Sequence, residues 1–377
     1  MKVLICSDSF KHSMSALEVC NSLAEGLRDE RDDLTLNLLP LADGGEGTVR
    51  TLVDATNGKR IETQVHDPLM RPVAAVFGLL GGGQTAVIEM AAASGIEQLT
   101  EQERNPFFTT TYGTGELIRS ALDQGCRRII LGIGGSATID GGAGLLHALG
   151  ARFYDPNQES ILPVGKNLSH IRHIDTSQLD ARLKETSISI AGDVDNPLTG
   201  PHGAAYVYGP QKGARPGDLK LLDQNLESYA RLLQKYTSQD LLTISGTGAA
   251  GGLAVSLLAF SLATLENGFN LVARELNLEK RIRENDLIIT GEGKIDAQTH
   301  CGKTPFGVAR LANQHNKPVI AVTGSLETDH PEGFDLLLPV MEKPIDLPSA
   351  LASAKILLKN TGRRIGQIIG LTGRLAH

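Results

Sequence analysis

Glycine and carboxylate residues in this chain fall in short clusters, and these clusters directly follow apolar, strand-like runs. The clusters are Asp8–Lys11, Asp43–Gly47, Gly134–Gly142, Gly192–Asn196 and Gly291–Asp296. In an open α/β sheet, ligands bind beyond the carboxyl ends of the strands, where glycine lets backbone N–H groups approach a phosphate closely. Carboxylates there can hold a metal ion or move a proton. The pattern therefore predicts an enzyme that handles phosphate.

Length and composition limit the number of domains, the partners and the cellular compartment that this chain can have. A chain of 377 residues predicts two domains, and a net charge of −7 without a Lys/Arg run excludes a nucleic-acid partner. The uncharged stretch 241–265 contains several glycines, so it indicates a strand, a glycine loop and a buried helix rather than a membrane span. The cysteines form no CxxC pair, which indicates reduced thiols in a cytoplasmic protein. Nothing in the sequence indicates the oligomeric state.

The order of elements predicts an α/β fold with two domains. Both ends of the chain show strands alternating with amphipathic helices, which is typical of a doubly wound parallel sheet of the Rossmann or flavodoxin-like kind. Pro72–Phe77 and Thr85–Glu89 are separated by glycines, which predicts a hairpin and a mixed sheet in the middle. We therefore expect a discontinuous doubly wound domain, 1–75 plus 285–377, with a mixed α/β domain, 76–284, inserted in it.

Local sequence signals predict where several helices begin and end. Ser15 and Glu18 form a capping box ahead of an apolar 3.6-residue pattern, so a helix begins there. A second helix is expected over 116–124, with Thr114 as its N-cap and Gly125 after its end. An amphipathic stretch at about 348–373 predicts a long final helix.

Over essentially its whole length the chain resembles the bacterial glycerate kinase family. The matching stretches are Asp8–Lys11 with Ser13–Glu18, Pro40–Thr48, Tyr112–Leu117, Gly134–Gly142, Asp193–Leu198, Gly209–Ala214 and Thr290–Asp296. One departure is His12, where the family usually has glycine. The resemblance implies two α/β domains with an active-site cleft between them. It also implies phosphorylation of D-glycerate by ATP, with the 2-hydroxyl as acceptor.

Phosphoryl transfer needs the phosphates cradled, their charge neutralised and the attacking hydroxyl oriented. Asp296 is the candidate that would accept the hydroxyl proton, and Lys294 would neutralise phosphate charge. Lys11, beside Asp8 at the first βα turn, would hold a phosphate or the substrate carboxylate. A tight turn with a surface salt bridge is the alternative for Lys294 and Asp296.

The remaining candidates bind nucleotide, substrate or metal. Asp193 and Asp195 lie two apart after a strand and would hold Mg²⁺, whereas capping of local turns is the alternative. Arg71 would pair with a substrate carboxylate or lie on the surface. The other candidates for substrate and nucleotide binding are Asp43, Gly44, Gly134, Gly135, Ser136, Lys212, Gly248 and Gly291.

Three alternative functions stay open at this point. The first alternative is a kinase that phosphorylates the 3-hydroxyl of glycerate instead of the 2-hydroxyl, which requires only a different orientation of the substrate. An NAD-dependent hydroxy-acid dehydrogenase is disfavoured because position 137 is Ala, which breaks a G-x-G-x-x-G fingerprint starting at Gly132. Gly302-Lys303-Thr304 resembles the end of a Walker A motif, but position 297, where the motif has its first glycine, is Ala, so a Walker-type loop is also disfavoured. A two-domain protein that binds a small acid without catalysis is the third alternative.

Overall fold

The computed structural model describes residues 1–295, 303–327 and 333–375, with the backbone alone for 372–375. The chain forms two compact units. The first contains Met1–Asp43, Arg50–Ala55 and Phe269–His377, and the second contains Gly44–Val49 and Thr56–Gly268. The domain boundaries that the sequence predicts, near residues 75 and 285, stay a prediction, because compact units need not be segments that fold independently.

The secondary-structure elements alternate along the chain, as expected for an α/β fold. In chain order they are β1 (Lys2–Ile5), α1 (Ala16–Glu30), β2 (Thr35–Leu38), α2 (Thr48–Ala55), β3 (Lys59–His66), β4 (Pro72–Leu79), β5 (Thr85–Glu89), α3 (Ala91–Ser94), α4 (Tyr112–Asp123), β6 (Arg128–Gly132), α5 (Ala143–Ala148), β7 (Arg152–Tyr154), β8 (His173–Asp175), β9 (Ser187–Ala191), α6 (Ala204–Tyr208), α7 (Leu219–Leu233), α8 (Ala254–Phe260), β10 (Leu262–Glu266), α9 (Gly268–Glu275), α10 (Leu278–Arg283), β11 (Leu287–Ile295), α11 (Thr304–Gln314), β12 (Val319–Leu326), β13 (Leu336–Pro339) and α12 (Leu347–Leu375).

The first unit is built on a parallel sheet with the strand order β13-β12-β11-β1-β2. Its central strands are apolar and fully buried, as at Val3 and Ile289, because both faces of a parallel sheet are covered. The predicted capping box is present: the Ser15 side chain accepts from the Glu18 amide, and α1 follows. The doubly wound parallel sheet is confirmed.

The second unit contains a mixed sheet with the order β10-β9-β6-β5-β4-β3. The predicted hairpin is confirmed, since β4 and β5 pair antiparallel, whereas β5, β6, β9 and β10 are parallel. The edge strand β3 was not predicted from the sequence. Its less exposed positions Ile61, Thr63 and Val65 alternate with exposed Glu62, but only two of them are apolar, which is a weak signal for a strand.

Two local predictions are corrected. The helix expected to begin after Thr114 begins at Tyr112 with Thr111 as its N-cap residue, and Thr114 is buried inside it. The glycine-rich stretch after Thr290 was predicted as a loop, but β11 continues to Ile295 because β12 pairs with it as far as Leu326. Within the described residues, no helix is long and apolar enough to cross a membrane.

Candidate active site

Asp8 lies in the first unit, just beyond β1, at the carboxyl end of the parallel sheet. Its amide donates to Gly291 O at 2.9 Å, which extends the β1–β11 ladder. Its Oδ1 accepts from the Ser9 amide at 2.6 Å, and its Oδ2 accepts from Thr304 Oγ1 at 2.8 Å. The start of α11 therefore fixes the orientation of this carboxylate.

The surroundings of Asp8 disfavour its charged form. Burial of the carboxyl and the negative charge of Asp43 raise its pKa to about 7, against the opposing effect of the hydrogen bonds from Ser9 and Thr304. The thiol of Cys20 also faces Asp8 from α1, and Glu292 follows Gly291 on the neighbouring strand β11. A carboxyl that titrates near neutral pH is suited to general acid–base catalysis.

Lys11 and His12 form the turn that follows Asp8, and both are exposed. The turn closes through the amides of Ser13 and Met14, which both donate to Phe10 O at 2.9 Å. His12 has φ 61°, a left-handed conformation in which glycine has no Cβ penalty. The conformation explains why glycine is usual at this position in the family that the sequence resembles.

Gly291 and Lys294 both lie within β11 rather than in a loop. A Cβ on Gly291 would lie 2.4 Å from Val322 O, so the close pairing with β12 requires glycine here. Lys294 Nζ lies 2.8 Å from a Glu327 carboxylate oxygen, and both side chains are about half exposed. Asp296, the predicted base, lies outside the described residues.

In the second unit, the loop that begins at Gly44 packs on the carboxyl ends of β6 and β9. Gly44 has φ 91°, and a Cβ there would lie 2.8 Å from Ala191 Cβ. A Cβ on Gly132 would lie 2.4 Å from Gly44 O, and one on Gly134 would lie 3.4 Å from Gly45 Cα. Glycines in the loop after β6 and in the loop at Gly44 therefore allow this close approach, which brings Gly44 next to Gly134, a predicted nucleotide-binding residue.

Glu89 supports the loop at Gly44–Gly47, a role that the sequence reasoning missed. It ends β5, and its Oε1 accepts from the Val49 amide at 2.7 Å. The amides of Gly47 and Thr48 also hydrogen-bond to this carboxylate, while burial and the charge of Glu46 raise its pKa. Glu89 therefore holds the loop before α2. The available signal was a carboxylate at the end of an apolar strand, the same signal that identified the predicted clusters.

Ser136 and Lys212 are brought together although they are distant in sequence. Lys212 Nζ donates to Ser136 Oγ at 2.7 Å and to Thr138 O at 2.8 Å. Gly135, with φ 70°, forms the turn just before Ser136. Burial lowers the pKa of Lys212 to about 7, and the charge of Asp140 opposes this shift. A lysine expected to reach phosphates directly thus lies beneath the glycine-rich loop.

Asp193 and Asp195 follow β9 and differ in surroundings. Asp193 Oδ1 accepts from Asn267 Nδ2 and from the Gly268 amide, both at 2.8 Å. Asp195 is exposed, and its backbone oxygen accepts from Ser245 Oγ at 3.1 Å. Among the described residues, no group of three or more His, Cys, Asp or Glu could hold a metal ion. Two carboxylates still fit Mg²⁺ that arrives with nucleotide phosphates, because phosphate and water complete its shell.

Arg71 and Gly248, also in the second unit, have mainly structural contacts. Arg71 forms ion pairs with Asp67 and Glu103, the latter at 2.6 Å. The Gly248 amide donates to Asn196 O at 2.9 Å, and a Cβ there would lie 2.2 Å from Pro197 O. Gly248 therefore holds the loop after β9 at a distance that only glycine permits.

Comparison with known proteins gives matches along the whole chain. A model of the "Glycerate kinase family" matches residues 3–370. A glycerate kinase of Bacillus subtilis (strain 168) is 47% identical over 375 residues, which cover 98% of each chain. A glycerate 2-kinase of Escherichia coli (strain K12) is 44% identical over 380 residues, covering 100% of each. The family-model match, residues 3–370, includes every motif described above.

Structural comparison agrees with the sequence matches. A crystal structure of a protein assigned as glycerate kinase 2 from Salmonella typhimurium LT2 superposes with a TM-score of 0.91. It is 46% identical to this chain, and the match covers 99% of both. The similarity therefore extends to the complete fold rather than to one unit.

Proposed function

We propose, from the fact that this chain belongs to the glycerate kinase family, that it transfers the γ-phosphoryl group of ATP to the 2-hydroxyl of D-glycerate. The products are 2-phosphoglycerate and ADP. That the protein is a kinase follows from homologues that match nearly its full length. The choice of the 2-hydroxyl is supported by the relative named glycerate 2-kinase. Buried thiols at Cys6, Cys20 and Cys126 are consistent with action in the cytoplasm.

Asp8 is the group best placed to accept the hydroxyl proton. Its carboxylate is oriented by two hydrogen bonds, and its pKa of about 7 lets it take up a proton near neutral pH. As the bond from the glycerate oxygen to the γ-phosphorus forms, the proton passes to Asp8, and ADP leaves. Lys11 and Lys294 would neutralise substrate and phosphate charge, while Asp296 is the alternative base. The geometry of Asp8 is the single observation that carries this assignment.

The nucleotide phosphates are assigned to the second unit. Glycine-rich loops at the carboxyl ends of parallel strands offer backbone N–H groups to phosphate oxygens, as expected for Gly44, Gly134 and Gly135. Ser136 and Lys212 support the same loop. Gly248 constrains the loop after β9 in the same unit, and Arg71 is proposed to attract the substrate carboxylate. Asp43 and Gly291 are proposed as binding residues of the first unit, close to Asp8.

Asp193 and Asp195 would hold Mg²⁺, which neutralises phosphate charge when it is bound. Asp193 is oriented by Asn267 and Gly268, and second-shell bonds of this kind position a metal ligand. We expect Asp193→Ala to raise the Mg²⁺ concentration for half-maximal activity by about tenfold or more. The measurement is a Mg²⁺ titration at saturating ATP. Asp123→Ala, at an exposed aspartate of the same unit, is the control. An unchanged titration in Asp193→Ala would make Asp193 a structural residue.

The regiochemistry is tested by coupling the product to enolase without phosphoglycerate mutase, since enolase accepts only 2-phosphoglycerate. Phosphoenolpyruvate formed from Mg-ATP and D-glycerate would support the 2-kinase assignment. ADP without phosphoenolpyruvate would mean that the 3-hydroxyl is the acceptor. No ADP above the glycerate-free control would overturn the proposed activity in favour of binding without catalysis.

A further inference from the structure

The ammonium group of Lys212 is buried within the second unit. The side chain is 2% exposed, and its Nζ donates to Ser136 Oγ and to Thr138 O. Transfer of an ammonium group out of water is costly unless the surrounding groups compensate. Both of its acceptors belong to the stretch that follows β6. Lys212 therefore ties the turn Pro210–Lys212 to the glycine-rich loop.

The charge of Asp140 favours the ammonium form of Lys212, and hydrogen bonds hold the Asp140 carboxylate in place. Its carboxylate accepts from the Thr111 amide at 2.7 Å, from Thr111 Oγ1 at 2.8 Å and from the Gly142 amide at 3.1 Å. A further amide, that of Gly144, donates at 3.3 Å. Asp140 still influences Lys212 electrostatically, but its hydrogen bonds go to backbone and hydroxyl donors. An anion bound to the loop amides would favour the charged form of Lys212, against the effect of its burial.

The hydrogen bond from Lys212 also determines what Ser136 can do. Since Ser136 Oγ accepts from the ammonium group, its own hydrogen must point to a different acceptor. In the part of the chain that the structure describes, no acceptor receives this hydrogen. Ser136 is 8% exposed and follows Gly134 and Gly135, whose positions fit close approach of a ligand. A buried hydroxyl donor without an acceptor points to a ligand oxygen.

We propose that Lys212 is a positioning residue for nucleotide binding: it holds Ser136 so that the Ser136 hydroxyl donates to a phosphate oxygen of ATP. The charge of Lys212 stabilises the same phosphate from beneath the loop. The inference rests on the proposed kinase function and names the group that recognises its nucleotide. It assigns the direct contact to Ser136 and an indirect role to Lys212.

The test is a double-mutant cycle on ATP affinity, measured by calorimetry without glycerate. We expect Ser136→Ala and Lys212→Met each to weaken ATP binding about 10- to 100-fold, as for loss of a hydrogen bond to a charged group. Because Lys212 acts partly through Ser136, the double variant should bind only ~3-fold more weakly than the weaker single variant. KM for ATP should rise far more than kcat falls. Lys220→Met, at an exposed lysine of the same unit, is the matched control.

Three outcomes would overturn the proposal: unchanged ATP affinity in Ser136→Ala, unchanged affinity in folded Lys212→Met, or effects that multiply fully in the double variant. If Lys212→Met does not fold, the ATP affinity of Ser136→Ala tests the proposal by itself, because this substitution removes only one oxygen atom and disturbs the fold least. A wild-type protein that binds ATP but forms no phosphoenolpyruvate in the enolase assay would overturn the proposed function. The double-mutant cycle would still test the roles of Ser136 and Lys212 in ATP binding. A wild-type protein that does not bind ATP would overturn both.

Discussion

Replacement of Asp8 by Asn lowers kcat by about 10²- to 10⁴-fold, the range for loss of general acid–base catalysis. The variant keeps the side-chain volume; its amide oxygen can accept from the Ser9 amide and its NH2 group can donate to Thr304 Oγ1, so the local geometry is preserved. Only the ability to take up the hydroxyl proton is lost. In the wild-type protein, kcat should fall as the pH falls through about 7, because protonation of Asp8 removes the base. ADP release measured by chromatography across pH 5–9 checks both expectations.

The same substitution should stabilise the fold at neutral and alkaline pH. The folded state keeps a proton on Asp8 between the ordinary carboxyl pKa of 3.8 and about 7, whereas the unfolded state has released it. Stability therefore falls as the pH rises through this window, and the full cost is present above pH 7. Asn carries no such cost, so the melting temperature of the variant should exceed that of the wild type by a few degrees at pH 8. The difference should vanish below pH 4.

A loss of activity with a gain of stability distinguishes a missing base from a damaged fold. Asp32→Asn, at an exposed aspartate of the same unit, is the control and should change neither quantity. Asp296→Asn tests the alternative base predicted from the sequence. If Asp296→Asn shows the large loss of kcat and Asp8→Asn retains wild-type kcat, the proton goes to Asp296 instead.

Replacement of Gly26 by Ala should strongly destabilise the first unit. Gly26 lies where α1 contacts α12, and a Cβ there would lie 1.9 Å from Lys359 O and 2.8 Å from the Arg363 amide. Both are backbone atoms of a helix, so the methyl group is accommodated only if the two helices move apart. We expect a loss of about 3 kcal/mol or more in the free energy of unfolding, which is typical of severe overpacking. Urea denaturation followed by circular dichroism measures this change.

Gly370→Ala is the matched control on α12. The nearest atom to a Cβ at this position is Arg31 Nη1, at an ordinary contact distance of 3.6 Å. Alanine in a helix interior is favoured over glycine by about 1 kcal/mol, so this variant should be neutral or slightly more stable. Equal effects of the two substitutions would show that close packing of α1 on α12 is not what requires glycine at position 26.

The sequence by itself predicted the architecture and selected the candidate residues, because those signals are local. The capping box at Ser15 lies within four consecutive residues, and the doubly wound parallel sheet follows from apolar runs that alternate with amphipathic helices. Asp8 and the loop at Gly134 could each be selected because residues that follow the strands of an α/β sheet lie at the carboxyl edge of that sheet. The family was evident from several ordered motifs, which the whole-chain match to residues 3–370 confirms.

The tertiary structure alone decided what each selected residue contacts. Ser136 and Lys212 are 76 residues apart, so no local pattern shows that the lysine is buried under the serine loop. Glu89 reaches the Val49 amide across 40 residues. The extension of β11 to Ile295 depends on pairing with β12. Such long-range contacts set burial, charge and hydrogen bonding, and these properties, rather than residue type, determine whether a side chain moves a proton, binds a phosphate or holds a loop.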